Sequence, residues 1–212
     1  MEKDVLFWEV DMQYDFIMPG GKLPISGAET IVSAVNRLRR YIFTNEYSLA
    51  GSMDCHKHGD EEISDNPDFQ KTFPFHCETN APGAGRVGDI GDEPEIFIPK
   101  NAISDAELEE IAANEPLNVF FHKDHFDVFT NPNITRFMEL MQPKQIIIFG
   151  VASDVCVRFA VDGLLNWGKA ELTVVTDCIH GLGIVAEEDL FKEWEGSGVK
   201  LVTSEEITSK VM

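Results

Sequence analysis

Three residues that could work together as a cysteine nucleophile and its partners each follow a separate apolar run. Cys156 lies just past the run that ends at Gly150 and opens a helical pattern, where backbone N–H groups and the helix dipole favour a thiolate. Lys123 would stabilise that thiolate, and Asp11 could take the thiol proton and later return one to a leaving amine. The pattern therefore predicts a nucleophilic cysteine with a depressed thiol pKa.

A second set of residues has the types that bind transition metals. Asp54 and His56 fall on the same side of an extended segment because side chains alternate along a strand, and His76 follows in the stretch Phe-Pro-Phe-His-Cys. Carboxylate and imidazole ligands suit zinc, manganese or iron. Taken alone, these residues could equally be polar loop residues.

The elements that must position these residues alternate between strands and helices. Predicted strands cover 5–10, 47–53, 119–121, 146–149, 172–175 and 200–202, and predicted helices cover 28–43, 105–113, 155–167 and 186–195. Ser104 followed by Glu107 predicts a helix start, and Gly168 predicts a helix end. This order favours a three-layer α/β/α fold with a mostly parallel central sheet. We expect residues 1–212 to form a single domain, with a long loop over 54–100.

In open parallel sheets, ligands bind at the carboxyl ends of the strands. Asp11, the segment 54–56, Lys123 and Cys156 all follow predicted strands, so we expect them to meet at one edge of the sheet. The remaining cysteines and three histidines lack such a context and are predicted to be structural or surface residues, namely Cys55, Cys77, Cys178, His122, His125 and His180.

The charge of the chain limits its partners. The 37 acidic and 17 basic residues give a formal net charge of -20, which disfavours nucleic acid and anionic membrane surfaces. No apolar stretch reaches the roughly 18 residues that a membrane span needs, and no signal peptide is recognisable. We expect a soluble, cytoplasmic protein that binds a small molecule.

Two motifs resemble those of the isochorismatase-like cysteine hydrolases, a superfamily that includes nicotinamidases. The stretch 149–158 is similar to the cysteine signature of that superfamily, and 11–16 is similar to its first motif. The resemblance implies a Rossmann-like sheet and an Asp-Lys-Cys triad of Asp11, Lys123 and Cys156. It also implies a cis peptide between Val151 and Ala152, with an oxyanion hole formed by the N–H groups of Ala152 and Cys156.

The loop after the second strand resembles the metal-binding segment of nicotinamidases. That resemblance implies one divalent metal ion, zinc before manganese or iron, bound by Asp54, His56, Glu62 and His76. The neighbours Glu61, Asp60 and His58 are alternatives to Glu62. It also implies a substrate pocket walled by Phe16, Phe73 and Val151.

The resemblance predicts an amidohydrolase that converts nicotinamide, or a similar aromatic carboxamide, to the acid and ammonia through a cysteine thioester. A homo-oligomer and a role in NAD salvage are further expectations. One alternative is a metal-independent relative acting on a ureido or carbamoyl compound, for which Arg158 and Arg86 are the candidate carboxylate-binding residues. Another is a catalytically silent homologue that acts as an interaction module.

Overall fold

A seven-stranded parallel sheet forms the centre of the molecule. The structure is a computed structural model that describes residues 4–91 and 94–209. Its strands are β1 (Val5–Val10), β2 (Ser48–Asp54), β3 (Ile96–Ile98), β4 (Asn118–Lys123), β5 (Gln145–Val151), β6 (Glu171–His180) and β7 (Lys200–Val202). Their order in the sheet is β3-β4-β2-β1-β5-β6-β7, and all neighbouring pairs are parallel.

Helices cover both faces of this sheet. They are α1 (Tyr14–Ile17), α2 (Val32–Thr44), α3 (Asp105–Ala113), α4 (Ile134–Met141), α5 (Cys156–Trp167), α6 (Glu187–Gly196) and α7 (Ser204–Thr208), with short 3-10 helices at Ala28–Ile31, Pro82–Ala84 and Val128–Thr130. Helices α3 to α6 contribute to one hydrophobic core, and α1, α2 and α7 contribute to the other. Among the described residues, no helix has the length and apolar character needed to cross a membrane.

Strand β1 shows why the sheet is buried on both sides. Leu6, Trp8 and Val10 point into one core, whereas Val5 and Phe7 point into the other, so alternate side chains serve opposite faces. Every residue of β1 is buried. A continuous apolar run of this kind is typical of a parallel strand with helices above and below it.

The predicted three-layer α/β/α fold is confirmed, and the differences concern short elements. The six predicted strands and four predicted helices are all present, and Ser104 Oγ accepts a hydrogen bond from the N–H of Glu107 at 3.2 Å. Gly168 ends α5 in the left-handed conformation, as predicted. The sequence-based prediction missed β3, a three-residue edge strand, and the helices α1, α4 and α7. Of these, α4 has eight residues, and the side chain of its N-cap Asn133 makes no capping hydrogen bond.

The long segment between β2 and β3 is fixed by contacts with the end of β1. Arg86 pairs with Gln13 in an isolated antiparallel bridge, and the N–H of Val87 donates to the carbonyl of Met12 at 2.9 Å. The Arg86 guanidinium also donates to both carboxylate oxygens of Glu9, at 2.8 and 3.0 Å. These contacts hold the loop against the strand end that carries the candidate site.

Candidate active site

Four chemically distinctive side chains meet at the carboxyl edge of the sheet. Asp11 directly follows β1, Asp54 and Lys123 are the last residues of β2 and β4, and Cys156 begins α5 after β5. The strands β4, β2, β1 and β5 are consecutive in the sheet, and their register pairs Asp54 with Lys123. The strand order therefore brings together residues that are more than a hundred positions apart in the chain, from Asp11 to Cys156.

Lys123 lies at the centre of this group. Its Nζ is 2.8 Å from Asp11 Oδ2 and 3.6 Å from Cys156 Sγ, and it also donates a short hydrogen bond to Asp54 Oδ1. Asp11 is oriented from its other side, because the hydroxyl of Ser52 donates to Asp11 Oδ1 at 2.7 Å. The structure thus brings the three residues of the predicted triad into contact in a fully buried position.

The two carboxylates beside Lys123 have opposite pKa shifts. Burial raises the pKa of Asp11, and the Lys123 charge offsets this only in part because the nearby Asp54 charge adds to the increase. Burial also opposes ionisation of Asp54, but Lys123, His56 and His76 hold its pKa well below the usual range. Asp54 therefore remains the anion, and Asp11 is the carboxylate that binds a proton more readily.

The predicted depression of the Cys156 thiol pKa is wrong. Burial raises the pKa of Cys156 well above its usual value; Lys123 lowers it, but the charges of Asp11 and Asp54 raise it again. The predicted helix start is present, since Cys156 is the first residue of α5. Its lowering effect on the thiol pKa is smaller than the increase caused by burial and by the two carboxylates. The resting side chain is therefore a thiol, and its activation requires a base.

The turn before Cys156 is built on a glycine and a cis peptide. Gly150 has a φ of 123°, and a Cβ at this position would lie 2.0 Å from the carbonyl oxygen of Val10, so only glycine fits. The Val151–Ala152 peptide is cis, as the resemblance implies. In the described part of the chain, the N–H groups of Ala152 and Cys156 make no backbone hydrogen bond, which leaves both able to bind an oxyanion.

Asp54, His56 and His76 form a cluster suited to a metal ion. One candidate ligand atom from each residue lies within 4.8 Å of the others, and both histidine Nε2 atoms are 3.5 to 3.6 Å from Asp54 Oδ2. His76 Nδ1 lies 2.7 Å from the carbonyl oxygen of Pro74, which sets the tautomer that presents an unprotonated Nε2 to the cluster.

His56 supplies the test of whether a metal fits here. Its side chain is fully buried, and neither ring nitrogen has a hydrogen-bond partner within the structure's described residues. A buried polar atom without a partner is costly, on the order of 1–3 kcal/mol, and a metal ligand bond would satisfy it. The donor set of one carboxylate and two imidazoles is typical of zinc and related transition metals. The residues present fit such an ion.

The structure does not place a fourth predicted ligand in this cluster. Glu62 is buried, but its Oε1 accepts a hydrogen bond from the N–H of Phe126 at 2.8 Å; burial and the Asp54 charge raise its pKa to about 8. Asp60 lies behind His56, with Oδ2 3.4 Å from Nδ1. The remaining two alternatives, Glu61 and His58, are exposed.

A mainly apolar pocket opens beside the nucleophile. The three predicted wall residues all line this cleft, together with Asp11, Asp54, His76 and Cys156. The sequence-based prediction missed five further apolar wall residues, which are Leu23, Ile25, Phe126, Val155 and Leu182. The sequence contained a signal for two of them. Phe126 follows Lys123 after one strand, and Val155 directly precedes Cys156 after another. Leu23, Ile25 and Leu182 come from loops without such a signal.

Two polar residues that hold the cluster in place were also missed. The side chain of Gln13 donates to the carbonyl of Asp54 and accepts from its N–H, both at 2.8 Å, so it fixes that backbone from both sides. Asp15 accepts from the N–H of Cys77, next to His76, at 2.7 Å. Both belong to the segment that follows Asp11, and neither touches the pocket.

The two arginines considered as carboxylate-binding residues are engaged elsewhere. Arg86 is buried in its ion pair with Glu9, and Arg158 donates to the Glu193 carboxylate at 2.8 Å on the outer side of α5. None of the described residues that line the pocket is an arginine or a lysine. A substrate carboxylate would therefore meet apolar walls and acidic groups.

Residues 6–206 match the Isochorismatase domain, and the chain belongs to this family. It is 22% identical over 211 residues to the nicotinamidase of Escherichia coli (strain K12), with 92% of both chains covered.

Two solved structures share the fold. The pyrazinamidase of Pyrococcus horikoshii in complex with zinc gives a TM-score of 0.72 at 23% identity, covering 94% of this chain and 99% of that one. The N-carbamoylsarcosine amidase from Thermoplasma acidophilum gives 0.70 at 16% identity, covering 95% and 97%. The family and its curated nicotinamidase relative support an amidohydrolase.

Proposed function

We propose that this protein is a nicotinamidase-type amidohydrolase that converts an uncharged aromatic carboxamide, with nicotinamide as the first candidate, to its acid and ammonia. The observation that carries the proposal is the position of Cys156, which shares one apolar pocket with Asp11 and with a cluster of ligand-type side chains. The nicotinamidase of Escherichia coli is a relative over 92% of the chain, which supports the same choice.

Asp11 and Cys156 share the proton transfers of the first half-reaction. As Cys156 Sγ bonds to the amide carbon, Asp11 takes the thiol proton, and the oxyanion binds to the N–H groups of Ala152 and Cys156. The C–N bond then breaks as Asp11 gives that proton to the nitrogen, so ammonia leaves and a thioester remains. The raised pKa of Asp11 suits a group that must both accept and return a proton.

The second half-reaction uses the same groups in reverse. Asp11 takes a proton from the attacking water as its oxygen bonds to the thioester carbon. The C–S bond then breaks, and the proton returns from Asp11 to Cys156. Lys123 keeps its charge throughout, because burial, which lowers its pKa, is outweighed by Asp11 and Asp54, which raise that pKa well above the usual value.

Asp54, His56 and His76 would hold a divalent transition metal, with zinc as the first candidate. When bound, that ion would supply a Lewis-acid site for the ring nitrogen of a heteroaromatic amide. Phe16 and Phe73, both buried at the pocket wall, would pack against the faces and edges of a flat ring. Glu62, predicted as a fourth ligand, remains a candidate that a metal-loaded structure would test.

A panel of amides tests the proposal through ammonia release. The metal-loaded protein should hydrolyse nicotinamide at least about 10-fold faster, in kcat/KM, than benzamide, which lacks the ring nitrogen. An N-carbamoyl amino acid should be a poor substrate, because none of the described residues that line the pocket is an arginine or a lysine that could pair with its carboxylate. Preference for the carbamoyl compound would favour the ureido alternative, and no release from any amide would favour the silent homologue.

A further inference from the structure

One wall of the pocket comes from a short loop with few internal contacts. The loop 181–186 joins β6 to α6 and contains Gly181 and Gly183, the latter with a φ of 78°. Leu182 lines the pocket although 40% of its surface is exposed, and Ile184 is 61% exposed. A loop that buries so little of itself needs another anchor to keep Leu182 in place.

The anchor is a buried carboxylate on the turn that carries the nucleophile. Asp154 Oδ1 accepts the N–H of Leu182 at 2.9 Å, and Oδ2 accepts the N–H of Ile184 at 2.7 Å. The N–H of Val185 lies 3.4 Å from the same Oδ2. Hydrogen bonds from N–H groups to a buried carboxylate are among the stronger ones in proteins.

The loop also packs closely on that turn. A Cβ at Gly181 would lie 2.4 Å from Ser153 Oγ and 3.0 Å from Asp154 Oδ1, so no side chain fits between loop and turn. The N–H of Ser153 donates to the carbonyl of His180 at 2.9 Å, immediately before the loop. The turn and the loop therefore form one unit, with Asp154 at its centre and outside the pocket lining.

We propose that Asp154 is a positioning residue that holds Leu182 as a wall against the substrate ring and thereby sets the affinity for planar amides. The identity of the substrate rests on the proposed function, whereas the anchoring of the wall does not. Because Leu182 would contact the ring and not the reacting carbonyl, loss of the anchor should weaken binding more than it slows the chemical steps.

The substitution Asp154→Asn keeps the size of the side chain but replaces one acceptor oxygen by an NH₂ group. We expect KM for nicotinamide to rise about 10-fold while kcat stays within about threefold. Asp177→Asn is the matched control, because Asp177 accepts the N–H and the hydroxyl of Ser204, both at 2.6 Å, away from the pocket. The control should lose comparable thermal stability with unchanged KM; equal KM values in both variants would overturn the proposal.

A double-mutant cycle tests whether Asp154 acts through Leu182. Leu182→Ala should itself raise KM, and adding Asp154→Asn to it should raise KM by less than about twofold more. If the two increases multiply, Asp154 acts by some other route and the proposal is wrong.

Thiol labelling separates failure of the anchor from failure of the proposed function. Cys156 lies in the pocket, so displacement of the Leu182 wall should increase its labelling by N-phenylmaleimide relative to the smaller iodoacetamide. The ratio of the two rates, read from the Cys156 peptide by mass spectrometry, should rise at least about threefold in Asp154→Asn and not in Asp177→Asn. An unchanged ratio would overturn the anchor even if nicotinamide is a substrate. A raised ratio in a protein that hydrolyses no amide would overturn only the proposed function.

Discussion

Two ionic clusters meet the chain only two residues apart, at Glu9 on β1 and at Asp11 directly after it, and their charges are arranged in opposite ways. The inner cluster consists of Glu9, Arg39, Arg86 and Glu95. The rim cluster consists of Asp11, Asp54 and Lys123. The inner cluster holds separate segments of the chain together, whereas the rim cluster, as proposed, takes part in the reaction. The contrast between them shows what distinguishes a structural cluster from a reactive one.

The inner cluster is balanced and its central carboxylate is fully hydrogen-bonded. Arg39 donates to both oxygens of Glu9 at 2.8 Å, Arg86 donates to the same two oxygens, and Arg86 also pairs with Glu95. Burial opposes ionisation of Glu9, yet the two arginines lower its pKa to about 2. Arg39 further donates to the carbonyl of Val87, which joins α2 and the long loop to β1.

The rim cluster is unbalanced. It has one lysine for two carboxylates. Its neighbours are the His56 imidazole, whose ring nitrogens make no hydrogen bond in the described part of the chain, and the Cys156 thiol, whose pKa burial raises. An excess of buried negative charge beside free ligand atoms is a suitable place for a metal cation, and a carboxyl with a raised pKa is a suitable proton carrier. The comparison shows that an unbalanced buried charge, together with polar atoms that lack hydrogen bonds, distinguishes the proposed functional cluster from the structural one.

The largest expected effect is on turnover and comes from the thiol beside the rim cluster. Cys156→Ala should reduce ammonia release at least about 1000-fold because the covalent route is lost. Its folding and metal content, measured by circular dichroism and elemental analysis, should match those of the unaltered protein. Retention of more than a few per cent of the activity would remove the cysteine from the mechanism.

Removal of a metal ligand should have the next largest effect. We expect His76→Ala to lose the stoichiometric transition metal and to lower kcat/KM for nicotinamide about 100-fold, because the ring nitrogen loses its proposed partner. His58→Ala is the control, since His58 is exposed and stacks on Phe75 at 4.0 Å. Full metal content in the His76 variant, or normal turnover without metal, would rule out this cluster as the site.

Substitution in the inner cluster should affect stability instead of chemistry. Glu9→Gln leaves two buried arginines without their shared anion, which should lower the free energy of unfolding by about 3–5 kcal/mol in urea titrations. The kcat of the fraction that remains folded should change less than about threefold. Glu171→Gln breaks an exposed pair with Lys200 and should leave the unfolding midpoint unchanged. A large fall in kcat for the folded Glu9 variant would blur the distinction between the two clusters.

The inner cluster also predicts a pH dependence of stability. The Glu9 pKa falls from 4.5 in the unfolded chain to about 2 in the folded protein, so the folded state binds the proton less well. Its contribution, on the order of 3 kcal/mol, is present above about pH 4.5 and is lost as the pH falls towards about 2. Unfolding measured between these values should show a steeper loss for the unaltered protein than for Glu9→Gln; parallel curves would contradict the prediction.

The sequence was sufficient to predict those site residues whose place in the fold follows from the local pattern of apolar residues. Asp11, Lys123 and Cys156 could be placed at strand ends because apolar runs mark parallel strands, and such strands end at a common edge. Asp54, His56 and His76 could be grouped through local spacing and a family resemblance.

What could not be predicted depends on contacts between distant segments. The hydrogen bonds between Gln13 and Asp54, and between Asp154 and Leu182, join residues whose proximity no sequence periodicity indicates. The thiol pKa was wrongly predicted because a helix start is a local feature, whereas burial and carboxylates from two other strands are not. Glu62 has the expected spacing, but its side chain turns to the N–H of Phe126.

The most direct test of the account is to trap the covalent intermediate. The metal-loaded protein would be mixed with nicotinamide, quenched in acid during turnover and digested for mass spectrometry. The account predicts one nicotinoyl group on the peptide that contains Cys156, absent when the substrate is omitted and absent in Cys156→Ala. Steady ammonia release with no acyl group on Cys156 in a rapid-quench time course, or an acyl group on another residue, would contradict it.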